Sequence, residues 1–386
     1  MKNKTLYSLL NKIPVIGALA SAIDVLLTGN VAPVADLPPH LSAIRDELFS
    51  SDDLNRFNTP EKASAAIRKL ERMFASDDFA RTDKYFKWLA RSWAGSAYLQ
   101  RYLLEDTDAD LNQALQHWQT MIDSDHTSLV DRRASITFFN RGLLVRYERD
   151  GNLADLHEAV RNFRDVLEMR SEIEALEDIP SRSDYADLAI ALVMLAEATH
   201  NADISDEAAA WAHKSHATPA LTFDDDVDID DDTAHADTLV IAAVLATCYE
   251  LRKKPDDLAL AIHLLEPIAV RTDLDSESHT SAEEYLGRCL RERYLREQAQ
   301  PDLVRSTALT TSALQRTVGR GARLARRLNL VGQCLHTHYR HSRSAQDLEQ
   351  AIDHLRHATE TARQKSPYRA RYERDLQSAR MMLSTI

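Results

Sequence analysis

Glycine and proline are scarce in this chain of 386 residues, with 9 and 11 respectively. A β-rich fold needs turn residues about every 8–12 positions, and α/β folds carry glycine-rich loops at strand ends. The shortage argues against both and leaves helices joined by short polar turns. Cysteine is scarcer still. Cys248, Cys289 and Cys334 are too few and too scattered for a disulfide framework. Each sits in an apolar helical stretch, where a free thiol packs as a small hydrophobe, and such usage suits a reducing, cytoplasmic setting. Also missing are a glycine-rich phosphate loop and a nucleophile elbow. Nothing argues for an enzyme, and nothing calls for a cofactor.

What is present is an ordinary folded composition with an uneven charge. Hydrophobic residues make up 44% and charged residues 28%, as in soluble folded chains. The net charge is −13, yet the stretch from Gly287 to Ile386 carries 19 Lys/Arg against 9 Asp/Glu, which makes it +10 and the remainder −23. An acidic body with a basic end points to an anionic partner at that end, or to head-to-tail association of copies.

A repeat runs through most of the chain. The segment from Asn140 to Val160 contains Tyr147, Asp155-Leu156 and Ala159-Val160, and its pattern recurs. One copy has Gly95, Tyr102, Asp110-Leu111 and Ala114-Leu115; another has Ala242, Tyr249, Asp257-Leu258 and Ala261-Ile262. Two more carry Gly287, Tyr294 and Asp302-Leu303, then Gly332, Tyr339, Asp347-Leu348 and Ala351-Ile352. Tyr and Asp are 8 apart in all five copies, and the Asp residues recur at 45 except across a gap of 102 between Asp155 and Asp257. A degenerate copy with Ala189, Ala196 and Ala208-Ala209 fills that gap.

Each position has a physical task. The small residue seven before the Tyr lets two helices approach. The Tyr ends a first helix, A, with its ring turned inward. The Asp opens a second helix, B, where a carboxylate caps free N–H groups and meets the positive dipole end. The Leu and the Ala-Ile pair lie at i, i+3 and i+4, one helical face. Ser306-Thr307 replaces the Ala-Ile pair in the fifth unit, so looser packing is expected there. The expected fold is all-α, a right-handed superhelical solenoid of antiparallel helix pairs with helical caps at both ends.

This pattern resembles the tetratricopeptide repeat family, in its roughly 45-residue variant often found beside caspase-like CHAT protease domains. The closest stretch is Arg146-Tyr147-Glu148-Arg149-Asp150-Gly151-Asn152-Leu153-Ala154-Asp155-Leu156-His157-Glu158-Ala159-Val160. The resemblance covers roughly residues 88–386 and implies a concave groove that binds protein or peptide segments. It transfers no catalytic residue, and no plausible nucleophile loop for a protease domain is found.

Four regions are expected: an apolar helix and linker at 1–35, a helical cap at 36–87, the array at 88–365 with an acidic insertion near 217–236, and a solvating C-terminal capping helix at 366–386. In the first, Ile13, Val15, Ile16, Leu19, Ile23, Leu26 and Leu27 form an apolar run behind Lys2, Lys4 and Lys12. Three readings stay open for it: a helix docked on the protein or on a second copy, a membrane-binding helix, or a targeting signal. The insertion holds seven Asp between Asp224 and Asp232 but lacks the Gly and Glu of a calcium loop, so it reads as a solvated loop. His336, His338, His341, His354 and His357 are close in sequence, but convergence on a metal is not expected. Arg320, Arg323, Arg326 and Arg327 fall on neighbouring turns of one helix as a basic patch. Interleaved aromatics are missing and the chain is acidic, so a charged protein partner is favoured over nucleic acid.

The functional expectation is a non-catalytic, cytoplasmic scaffold that holds a protein or peptide in the groove. The alternative is a regulator, substrate or membrane-active effector of a CHAT-protease-linked defence or cell-death system, with the protease as partner and residues 13–27 at the membrane. A nucleic-acid adaptor through the arginine patch comes third.

Overall fold

The computed structural model describes residues 37–49, 57, 59–124, 129–172, 182–219, 230–271 and 276–384. Among them are sixteen helices and no strand. Helices α1 (Pro39–Phe49), α2 (Pro60–Phe74) and α3 (Asp77–Arg81) come first. Six A/B pairs follow. They are α4 (Lys84–Glu105) with α5 (Asp108–Asp123), α6 (Leu129–Asp150) with α7 (Leu153–Ser171), and α8 (Arg182–Thr199) with α9 (Ala202–Ala217). Next come α10 (Asp230–Arg252) with α11 (Pro255–Ala269), α12 (Ser276–Glu297) with α13 (Gln300–Gln315), and α14 (Ala322–Ser342) with α15 (Ala345–Thr361). Helix α16 (Arg369–Leu383) follows the sixth pair. The described residues form an all-α solenoid of helix pairs, five with the Tyr and Asp of the repeat and the α8/α9 pair with the degenerate copy.

The repeat signature builds the A-to-B turn. Tyr102, Tyr147, Tyr249, Tyr294 and Tyr339 are buried. The carbonyl of each accepts the amide four residues on, at 2.7–2.8 Å, from Asp106, Gly151, Lys253, Gln298 and Arg343. All five of those residues are left-handed, and His200 takes the same conformation in the degenerate unit. This is the αL helix ending, here mostly without glycine. The Asp that follows is the third residue of helix B, and its side chain does a different job from the expected one. Asn152 and Ser344, three residues earlier, cap their helices, while the Asp carboxylate accepts from helix A. Arg101 grips Asp110 with two bonds (2.7 and 2.5 Å), Arg146 grips Asp155 (2.9 and 2.8 Å) and Arg293 grips Asp302 (2.6 and 2.7 Å). His338 serves Asp347, whereas Asp257 is held by Arg252 and His213. A planar guanidinium fits a carboxylate bidentately, so each pair is fixed in angle as well as distance.

Helix approach follows the small residues, with two departures. A Cβ on Gly95 would lie 2.3 Å from the Trp118 indole, and one on Gly332 would lie 2.5 Å from Leu355. In the second unit the position is Asn140, fully buried and accepting from Asn162 at 2.9 Å. The fifth unit was expected to pack loosely, but Ser306 is fully buried and donates to the Gly287 carbonyl at 2.7 Å. A hydrogen bond there replaces the apolar contact. One apolar core runs from Ile67 on α2 through the first five units to Leu290, and a separate cluster around Phe86 and Trp93 ties α1 to α3 onto α4. The free cysteines all pack in the interior.

The array closes on itself. Arg363, just after α15, donates to both carboxylate oxygens of Asp106 (3.2 and 3.0 Å) and to its carbonyl (2.5 Å), and pairs with Asp108. Asp106 ends α4, so residues 257 positions apart meet. Two left-handed glycines lie on the same seam. A Cβ on Gly319 would be 2.6 Å from the Leu103 carbonyl, and one on Gly321 would be 2.7 Å from the Asp106 carboxylate. Only glycine combines positive φ with that approach. The basic end thus meets the acidic body within one copy.

Candidate functional site: the inner face of the closed array

The A helices turn one face toward the centre of this ring. That face surrounds a void of about 270 Å³ lined by α4, α6, α8, α10, α12, α14 and α16. The wall mixes apolar side chains, among them Leu144, Ile190, Val193 and Met194, with charged ones. Arg141 on α6 and Arg288 on α12 occupy the same register, six before the unit's Tyr. The position after the Tyr, or after Ala196 in the degenerate unit, is Glu148 on α6, Glu197 on α8 and Glu250 on α10. Three consecutive units therefore carry a glutamate row at one level.

Arginines from the later units meet this row. Arg288 donates to Glu250 at 2.6 Å, and Arg371 on α16 reaches Glu197 at 3.2 Å and Glu250 at 3.4 Å. Arg326 lies 3.7 Å from Glu148 and donates to Glu284 at 2.5 Å, while Arg327 donates to Glu284 at 2.8 Å and to Glu277 at 2.7 Å. Burial alone would raise the carboxylates, but the guanidiniums outweigh it at two of them. Glu250, with Arg288, Arg371 and Arg291, and Glu284, with Arg326 and Arg327, are held down to about 2. At Glu148 burial wins over Arg326 and Arg323, and the pKa rises. Asp187 beside Arg141 is likewise pushed up to about 7 by burial. Arg141 bonds Asp187 through Nη2 at 2.7 Å, while its Nε and Nη1 find no partner.

The expected basic patch is not displayed to solvent. Arg320 is exposed, but Arg323 pairs with Glu277 at 3.2 Å, and Arg326 and Arg327 are spent on the glutamates just described. Their helix packs against α12, and counting turns could not reveal which way the arginines faced. The C-terminal helix is also more than a solvating cap, because α16 buries Tyr372, Leu376 and Ala379 and sends Arg371 into the ring. His336 approaches the Met382 sulfur, His338 serves Asp347 and His341 accepts from Gln300, so these three point to different partners. The run from Ile13 to Leu27 and residues 224–229 of the acidic insertion lie outside the described residues. Among the described residues no helix is long and apolar enough to cross a membrane.

Sequence reasoning missed the glutamate row, Arg141, Arg363 and Arg371. A signal did exist: Glu follows the repeat position in three successive units, and the charge divides sharply along the chain.

Comparison of the sequence with family profiles and with curated proteins finds no match. Among solved structures, the crystal structure of the yeast Tom70 aligns over 92% of this chain and 67% of that one, with 13% identity and a TM-score of 0.41. The solenoid assignment rests on the helix pairs of the chain itself.

Proposed function

We propose that the protein is a non-catalytic scaffold that recognises a protein or peptide segment on the inner face of the array. The observation that carries this reading is a ring centre in which paired charges and tyrosines are set among apolar side chains around a void. Buried ion pairs often do no better than a well-packed apolar substitute, so a wall of this kind suits recognition better than support. Closed, the ring admits side chains; a segment engages once the seam parts.

Photo-crosslinking tests this. A crosslinking residue at Met194, on the inner wall, is compared with one at Arg164 on the outside, in full chain exposed to extract of the native host. Capture of the same polypeptide from Met194 and not from Arg164 supports the reading. Capture only from Arg164, or from neither, ends it.

A second reading rests on the apolar run from Ile13 to Leu27 and on the repeat junction at 146–160. In it the chain regulates, is cut by, or acts for a CHAT-type protease in a defence or cell-death system, with the apolar run as the membrane-active part. Liposome leakage by full-length chain against a chain starting at Asp36 is the test; equal leakage removes the idea.

A further inference from the structure

We propose that the row Glu148, Glu197 and Glu250 is an acceptor for a helix bearing an arginine flanked by aromatic residues, that α16 is its internal occupant, and that a partner helix of the same chemistry takes its place. This rests on the scaffold reading above and names the chemistry of the partner.

Helix α16 displays the pattern the acceptor selects. Arg371 and Tyr372 lie three and four residues after Tyr368, the residue that precedes α16, hence on its side of the helix, and all three line the void. The Arg371 guanidinium bridges carboxylates from two different units, Glu197 and Glu250. No residue of the adjoining sixth unit supplies those carboxylates, so the contact is recognition across the ring and not ordinary neighbour packing.

The occupant has a narrow apolar face. Three residues of α16 are buried, Tyr372 in a cluster with Ala358, and Leu376 and Ala379 in one with Leu355, against four of α15 and eleven of α8. Much of the remaining hold is polar: the Arg371 pairs, and Asp375 accepting from Asn329 at 3.0 Å and from Gln333 at 2.6 Å. Polar contacts of this kind exchange for equivalent ones at little net loss, whereas a large apolar face does not.

The acceptor also survives the departure of its occupant. Glu250 keeps the 2.6 Å bond from Arg288, shorter than either Arg371 contact, and Glu148 keeps Arg326. Glu197 alone loses its ion-pair partner when α16 leaves; its side chain is 26% exposed, so water meets it in part and a partner arginine restores the pair. Removing α16 also takes Tyr368, Arg371 and Tyr372 out of the lining of the void.

A labelled peptide of residues 366–384 is titrated into full-length chain by fluorescence anisotropy. Wild type competes with its own α16 and binds the peptide weakly. Full-length Arg371→Glu repels its own helix from the row, and peptide affinity rises at least tenfold. Adding Glu197→Gln and Glu250→Gln to that variant abolishes the gain, and a peptide carrying Arg371→Glu fails to bind. Full-length Asp375→Ala, which loosens the internal helix and leaves Asn329, Gln333 and the glutamates for the peptide, also raises peptide affinity should Arg371→Glu perturb the fold. Equal peptide affinity for wild type and both variants, or binding that survives loss of the two glutamates, overturns the proposal. The peptide can bind in trans whether or not Met194 captures a host partner, so the two readings fail separately.

Discussion

At the residue scale, two positions of the repeat decide how sharply helix A turns into helix B. The Arg146–Asp155 clasp combines two charge-assisted bonds with a nearly buried carboxylate, while Arg146 itself stays about one-third exposed. Stranding one partner of a fully buried pair costs ~3–5 kcal/mol, and partial exposure lowers that. Arg146→Ala is therefore expected to reduce unfolding stability by ~2 kcal/mol, read from the urea midpoint; a change near zero would mean that water replaces the clasp. The left-handed residue acts in the opposite direction. Gln298 sits at φ 60, with its side chain donating only an exposed 3.3 Å bond to the Leu295 carbonyl, and an L-residue in that conformation gives up ~1–2 kcal/mol relative to glycine. Part of that is returned through the greater unfolded freedom of glycine. Gln298→Gly is expected to raise stability by ~0.5–1 kcal/mol, whereas Gln298→Val lowers it. The Tyr–Asp spacing was legible in the sequence because a turn of fixed length imposes it. The partner of the Asp was half legible, since Arg precedes Tyr in three units, but the eye goes to the capping role that an acid at a helix start usually has.

At the scale of the element, α6, α8 and α10 share a wall of buried charge. Arg133 and Arg170 bracket Asp184 at 2.5 and 3.2 Å, Arg141 holds Asp187, and Ser183 donates to Asp237 at 2.7 Å. Burial raises Asp187 to about 7 and Asp237 to about 6 from a common 3.8. A carboxyl that binds its proton more tightly folded than unfolded makes the fold lose stability as pH rises from about 4 toward about 7. Glu250 and Glu284 act with the opposite sign. Held down to about 2 from 4.5, they contribute stability that is complete above pH 4.5 and lost as pH falls toward 2. The melting temperature should then fall on both flanks, and Asp187→Asn should flatten the neutral flank while leaving the acid one unchanged. An unaltered neutral flank would remove Asp187 as its source. These helices carry weak amphipathic patterning because inner and outer faces are both buried, so their existence was legible while the polar inner face was not. Helix α16 was legible as a helix, but an arginine-rich sequence reads as solvated when its carboxylate partners lie more than 100 residues away.

At the scale of the whole molecule, the charge division in the sequence finds its answer in the seam. The +10 end and the acidic body meet through Arg363 with Asp106 and Asp108, and through Arg371 with Glu197 and Glu250. Head-to-tail association would satisfy the same charges between copies, and composition alone has no means of separating the two; only the curvature of the stacked pairs does. Reversal of the seam charges separates them in solution. The seam pairs are part-exposed, so they respond to screening as the Debye length falls from about 10 Å at 0.1 M salt to about 3 Å at 1 M. Arg363→Glu places like charges against Asp106 and Asp108, and the radius of gyration by X-ray scattering should rise by several Å above that of wild type under the same conditions. Adding Asp106→Arg and Asp108→Arg in the same chain restores the attraction with its sign inverted. An arginine is tolerated at the first of these, because Arg343 holds the equivalent left-handed position in the sixth unit. The triple variant should return to the wild-type radius at every protein concentration. Recovery only at high concentration, with a doubled mass in sedimentation, would mean that the charges close the gap between copies and that the ring is not the state in solution. Concentration-independent recovery leaves intramolecular closure as the use to which the divided charge is put, because an interaction within one chain has an effective concentration that dilution cannot change.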